Sequence, residues 1–427
     1  MLQRKYILTN SDNNISTAGI QPQTGFPRRK NSVKPGIVAI DYVYKNIYNC
    51  ANCSSKEKTM ETIAAPLPGA AVAAPKKRWF RADNIRYILL FNVIAEHMLT
   101  QTGIGPGVAP VNITAHWIVT VIVCWSRMIT MPGFCFISGY FSKKGYKCYQ
   151  SAIFDFLVPY LIFNSLFVLC YGTSAPNIFT PTFAYWYLMC MFFWKLLTKA
   201  LQQVKYIVPI SFVVALLVGA FCPDVGHFMS ISRTIGFLPF YVIGMKMSRE
   251  DVAKIEKLPK IPVAVVTAVV LGVWGWLNVK EVFHIDFFYY WASYAGDPAH
   301  PEFSMFSYGI GKGLLLRALG YIVSFIQIIF LFVFIPDRSL PVMREVGTRT
   351  MPPYLLHTYI IMFMRNAYAL VFHANPALNQ WYVTVPIALL VAVAVMSVLG
   401  LPVFTEWYGA LINWIKKIFS CEPMNAQ

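Results

Sequence analysis

Negative charge is what this sequence has least of. Asp and Glu number 19 against 36 Lys and Arg in 427 residues, and the four types together make up only 13%. Soluble domains are about one quarter charged, so this chain lacks the charge to clothe a large core in water. Apolar residues reach 57% instead, with a mean hydropathy of +0.52. A disulfide framework is missing too. The nine cysteines are scattered, and Cys124, Cys135, Cys170 and Cys190 stand inside apolar runs, where they read as small buried side chains. The CxxC of Cys50 and Cys53 has no second pair to complete a structural zinc site, and no metal is expected. No apolar stretch of signal-peptide length lies near the start. Internal repeats, heptads and phosphate-binding glycine loops are also lacking.

What is present is a series of apolar runs at 85–103, 116–141, 152–171, 183–200, 206–222, 230–248, 260–279, 310–335, 353–372 and 381–402. Several approach or exceed the ~20 residues that cross a bilayer as a helix. The expected fold is all-α: a polytopic membrane protein of about ten transmembrane helices in one bundle, occupying 80–402. The net charge of +17 could suit nucleic acid. The cations, however, gather in short clusters between the runs, which is how a membrane protein encodes its topology, and no nucleic-acid partner is expected. Lys76, Lys77 and Arg78 precede the first run, and basic clusters follow the second, fourth, sixth, eighth and tenth. This alternation puts both termini in the cytoplasm, with the 280–309 connection outside.

Residues 1–79 are polar and then Ala/Pro-rich, which suggests a disordered cytoplasmic extension. Met60 offers a second start, so residues 1–59 are either a genuine tail or sequence upstream of the true beginning. Residues 403–427 read as a short cytoplasmic amphipathic tail. The long 280–309 loop carries Glu281, Asp286, Asp297 and Glu302 around the aromatic run FHIDFFYYW. It is either an interfacial aromatic belt or a lid and sugar-stacking platform over an outward-facing site.

Charges inside a bilayer ask for a reason. In RADNIRYILLFNVIAEHM, Arg86 and His97 are eleven positions apart; that is about three helical turns, so the two share a face. His97 has the titration range of a general base, and Glu96 adjoins it. Arg127, Arg233, Arg317 and Arg365 also fall within apolar runs, whereas the acids there are chiefly Glu96 and Asp155. That excess of cations calls for an external anion, such as the phosphates of coenzyme A.

Five blocks in order carry a resemblance. Arg86 and His97 form a basic-x10-His pair, with Arg81 and Asp83 before it. There follow MPGFCFISGYFSKK (Met131–Lys144), YWYLMCMFFW (Tyr185–Trp194), RTIGFLPFYVIGMKM (Arg233–Met247) and GTRTMPPYLLHTY (Gly347–Tyr359). Together they resemble the acyltransferase-3 family of membrane acyltransferases, in its fucose 4-O-acetylase-like branch, over residues 81–402. The resemblance implies acyl-CoA, with acetyl-CoA the expected form, as cytoplasmic co-substrate, and a carbohydrate or glycolipid acceptor reached from outside or along the membrane lipids. A bacterial inner (plasma) membrane is the implied location. It implies His97 as general base with Glu96 beside it, and Arg86, Arg127, Lys143, Lys144 and Lys147 as contacts for the CoA phosphates. Ser138, Tyr140, Arg233, Tyr354 and His357 are further candidates, as orienting or hydrogen-bonding groups. The three lysines stand where some relatives carry an arginine pair, and Met351-Pro352-Pro353 suggests a kink entering the ninth run. The rival reading is a secondary transporter or flippase using His and Arg as a proton relay, against which stands the lack of an inverted repeat.

The topology is testable with an impermeant thiol reagent on an otherwise cysteine-free chain. Asp297→Cys should label from outside and Lys254→Cys only after permeabilisation; labelling of position 254 alone from outside would reverse the orientation.

Overall fold

The computed structural model describes residues 78–101, 117–172, 178–221, 228–291, 293–294, 308–378 and 380–419. The CxxC, the Ala/Pro-rich stretch and the second start at Met60 lie outside the described residues, as do Asp297 and Glu302. Among the described residues there is no strand. The helices are α1 (Phe80–Gln101), α2 (Trp117–Tyr140), α3 (Gly145–Ser151), α4 (Val158–Tyr171), α5 (Trp186–Gln203), α6 (Ile207–Phe221), α7 (Ile231–Gly236) and α8 (Leu238–Lys246). They continue with α9 (Arg249–Glu256), α10 (Lys260–Val279), α11 (Ile310–Phe334), α12 (Pro341–Thr348), α13 (Met351–Ala374), α14 (Trp381–Leu399) and α15 (Pro402–Phe419).

All ten apolar runs carry helix. Among the described residues, five helices are long and apolar enough to cross a membrane: α2, Lys147–Tyr171, α10, α11 and α14. The pair Phe228–Gly236 and Leu238–Lys246, bent by 55°, makes six if counted as one span. Four runs, those of α1, α5, α6 and α13, fall short, two of them for clear reasons. α1 carries Arg81, Asp83, Arg86 and Glu96, and α6 has only 15 residues. Large apolar side chains are exposed on several helices, including Leu161, Leu166 and Leu169 on α4, and Val265, Val269, Val273 and Trp276 on α10. Apolar surface of that extent needs an apolar surrounding. Cys170 shares this outward surface, whereas Cys124, Cys135 and Cys190 are buried as expected.

Local sequence explains several helix ends. Ser248 and Asp251 form a reciprocal capping box that starts α9, and the hydrogen bonds from the Ser248 backbone and hydroxyl hold the Asp251 carboxyl below its ordinary range. Pro352 and Pro353 do not kink α13. They occupy its first turn, where the missing N–H has no helical partner to lose. α15 is the helical form of the amphipathic tail; it buries Ile412 and Ile415, and Lys416 lies 3.9 Å from Asp155.

α1 is the element the others gather around, with α2, α12, α13 and α14 packed on it. Its first turn is clamped by distant residues. Arg81 and Trp79 both reach Glu256 of α9, and the Asn84 amide donates to the carbonyls of Pro336 and Arg338. α1 and α2 run antiparallel, as Asn92–Thr130 and Glu96–Arg127 show. α2 in turn meets α8 backbone to backbone. A Cβ on Gly139 would strike the Tyr241 carbonyl, and one on Gly244 would strike that of Phe136. Small residues permit this approach in membrane helices.

Replacing Gly139 by Val should therefore lower the melting temperature in detergent, with a cost of about 1–3 kcal/mol from overpacking. Gly272→Ala, where an added Cβ meets nothing within 4 Å, serves as the neutral control. Equal melting of the two variants would remove the close crossing from the account.

Candidate functional site

At the end of α1 opposite the clamp lies a cavity of about 400 Å³, within the usual range for small-molecule sites. Its walls are Val93, Glu96, His97 and Thr100 from α1, and Ser126, Arg127, Thr130 and Met131 from α2. Phe183, Ala184 and Trp186 enter α5 beside it, Arg233 comes from α7, Asp286, Tyr289 and Trp291 from the long loop, and Tyr354 from α13.

The charges in it form a chain. Glu96 Oε1 accepts from Arg127 Nε at 3.1 Å and from the Tyr289 hydroxyl at 3.0 Å. Arg127 donates onward to Asp286, and its guanidinium lies 4.3 Å from the centre of the Tyr289 ring. The second Glu96 oxygen is 3.4 Å from His97 Nδ1. A carboxylate there favours the tautomer with hydrogen on Nδ1 and leaves Nε2 as the basic nitrogen. His97 stacks on His357, with ring centres 5.5 Å apart and planes 2° from parallel. His357 is fully buried; its Nδ1 donates to the Pro353 carbonyl at 3.0 Å, and its Nε2 has no hydrogen-bond partner among the described residues.

Backbone strain is concentrated around the cavity. Phe183, Met229, Ser230 and Tyr290 adopt positive φ of 47–56°, a conformation that non-glycine residues hold only when their surroundings impose it. Here the surroundings do. The Met229 N–H donates to the Phe179 carbonyl, the Ser232 hydroxyl to the Tyr290 carbonyl and the Thr234 hydroxyl to the Ser230 carbonyl. The left-handed turn at Tyr290 packs that ring inward against Phe237 and Tyr321, while its neighbours Tyr289 and Trp291 line the cavity. Phe283, Phe287 and Phe288 are buried as well. Asp286, Tyr289 and Trp291 of the aromatic run thus form part of the cavity wall, and its phenylalanines are buried.

The candidate residues separate into two groups. His97, Glu96, Arg127, Arg233 and Tyr354 meet in the cavity, with His357 directly behind His97. Arg86 lies in the clamp, paired with Asp83 at 3.2 Å and 4.4 Å from the centre of the Phe141 ring. Near it, Tyr140 packs on Trp79 and lies under the Lys143 ammonium, which donates to the Met247 carbonyl. Lys144 and Lys147 are exposed at the same end. Ser138 bonds the Tyr187 hydroxyl at 2.9 Å, and the Tyr187 ring packs on Tyr354. Arg127, grouped by sequence with the phosphate contacts, has its charge already met by two carboxylates. Ser126, Trp186, Tyr289 and Trp291 went unmarked as site residues. Trp186 sat in the Tyr185–Trp194 block and the last two in the aromatic run, whereas Ser126 lay in no segment that drew notice. Among the described residues no group of His, Cys, Asp and Glu is arranged to hold a metal ion.

Arg127→Met should destabilise the protein by about 3–5 kcal/mol, because it leaves Glu96 buried without its cation. Adding Glu96→Gln should restore part of that loss, as read by thermal melting of the two single variants and the double. Strict additivity would show that the two side chains are not coupled.

A family model described as an acyltransferase domain matches residues 79–401, a span that takes in every residue lining the cavity. No curated protein and no solved structure matches the chain. Since the match covers well over half of the sequence, and apolar helices of membrane-crossing length run through it, the chain belongs to the acyltransferase-3 family and is a membrane acyltransferase.

Proposed function

We propose that this enzyme moves an acyl group, acetyl in the simplest case, from acyl-CoA to a hydroxyl of an extracytoplasmic or lipid-linked carbohydrate, as in the fucose 4-O-acetylase-like branch. The observation that carries this reading is His97 on the wall of a cavity of about 400 Å³, its Nδ1 beside Glu96 and its surroundings rich in aromatic rings. His97 Nε2 takes the proton of the acceptor hydroxyl as the oxygen attacks the thioester carbonyl. The tetrahedral intermediate collapses with cleavage of the carbon–sulfur bond, and the proton passes from His97 to the departing CoA thiolate. Glu96, fixed by Arg127 and Tyr289, orients the imidazole and balances its charge while it holds the proton. Tyr289 and Trp291 on the cavity wall offer aromatic surface to a sugar ring.

In this reading all ten helical stretches are embedded in one bundle, both termini are cytoplasmic, and the cavity faces outward. Arg86, Lys143, Lys144 and Lys147 at the basic end receive the CoA phosphates. The acyl end passes Tyr187, which joins Ser138 to the cavity-lining Tyr354.

His97→Ala should lower acetyl transfer by about 10²–10⁴-fold, the usual worth of a general base, while acetyl-CoA binding and folding persist. The measurement is transfer, CoA affinity and melting temperature on one purified sample. Full transfer in that variant would defeat the reading, and solute transport without any acyl-CoA binding would replace it with the proton-relay alternative.

A further inference from the structure

Three arginines buried in the described core satisfy their charge in different ways. Arg127 lies between the carboxylates of Glu96 and Asp286. Arg317 is ringed by Phe287, Tyr290 and Tyr294, each with its ring centre 4.7–5.0 Å from the guanidinium carbon. Arg233 has a single ring, Trp186, at 4.9 Å. It is 91% buried, at 9% exposure, and it lines the cavity. Its Nε has no hydrogen-bond partner, and among the described residues it forms no ion pair. Asp286 lines the same cavity but is taken by Arg127. A cation held this far out of water is costly unless an anion accompanies it, and one aromatic face offsets only part of that cost.

Its surroundings hold it in place. Ser232 and Thr234 on either side are anchored by hydrogen bonds to the carbonyls of Tyr290 and Ser230. Trp186, beneath the guanidinium, stacks on Phe237 at 5.3 Å. Fixed donors in a cavity are the arrangement that recognises planar or tetrahedral oxyanions.

We infer that Arg233 docks an anionic group, a carboxylate or a phosphate, carried by the carbohydrate acceptor, so that the enzyme selects acidic or phosphorylated sugars over neutral ones. This rests on the acyltransferase reading above and adds the class of acceptor. The anion sits on the Arg233 guanidinium, which Trp186 supports from below, the sugar ring lies along Trp291 and Tyr289, and the hydroxyl to be acylated is turned toward His97.

The test uses the full-length protein in lipid nanodiscs with glucose, glucuronic acid and glucose 6-phosphate. Binding is read by calorimetry, and transfer from labelled acetyl-CoA is read in parallel. Wild type should bind at least one of the two anionic sugars about 10–100-fold more tightly than glucose, the range expected for a hydrogen-bonded charge contact. Carboxylate and phosphate are told apart by which of the two it is. Arg233→Gln should abolish the preference, and Arg233→Lys should keep part of it. Equal binding of the three sugars, no binding of either anionic sugar, or an unchanged preference in Arg233→Gln would overturn the inference. So would an Arg233→Gln enzyme whose kcat falls equally for all acceptors with KM unmoved, because that places the guanidinium at the reacting carbonyl. Anion preference without any acetyl transfer would instead remove acetyl-CoA as the proposed donor and leave the anion site standing.

Discussion

The buried chain from His97 through Glu96 and Arg127 to Asp286 is the interaction on which the site depends. Each ion alone would be intolerable in an apolar interior, at a cost of several kcal/mol per charge. Brought together they tie the far end of α1 to its neighbour α2 and to the loop after α10, whose Asp286 lies 159 positions beyond Arg127. The pairing also fixes what each residue can do chemically. Arg127 is spent on the two carboxylates, and Glu96 is held by two donors with one oxygen left for the imidazole. The imidazole is left with one nitrogen to work with.

The two ends of α1 serve different tasks. At the clamp, charges from α1, α9 and the segment after α11 meet near the surface, with Arg81, Arg249, Glu256 and Asp337 in contact. At the cavity the charged groups, Glu96, His97, Arg127, Arg233 and Asp286, stand among aromatic rings. Such a division suits the proposed reaction, whose two substrates differ in character: one large and polyanionic, approached from a basic surface, the other a sugar ring.

Much of this was legible in the sequence, and the misses have physical causes. Helix locations followed from apolar runs separated by charge, and His97, Glu96 and Arg127 stood out because ionised groups are rare in such runs. The number of helices that cross unaided did not follow, since α1 is too charged and α6 too short for composition to decide. Asp286 could not be assigned to Arg127, which lies 159 positions away, because nothing in periodicity reports so distant a contact. The inward course of the aromatic run depends on one left-handed residue, Tyr290, where no glycine announces a turn. Arg233 was visible as a cation in an apolar run, but that it forms no ion pair among the described residues is a property of the packed structure only.

The close crossing of α2 and α8 bears on how the cavity could admit a substrate. Gly139 and Gly244 bring the two backbones into direct contact at two points, so neither helix can roll or slide past the other without a collision of main-chain atoms. α2 carries Arg127, and α8 continues from the helix that carries Arg233. The crossing thus fixes the backbone of α2 against α8 on that side of the site. Widening of the cavity then falls to its other side, where Phe183, Tyr354 and the long loop line it. One wall is a fixed jaw, and any movement belongs to the wall that faces it.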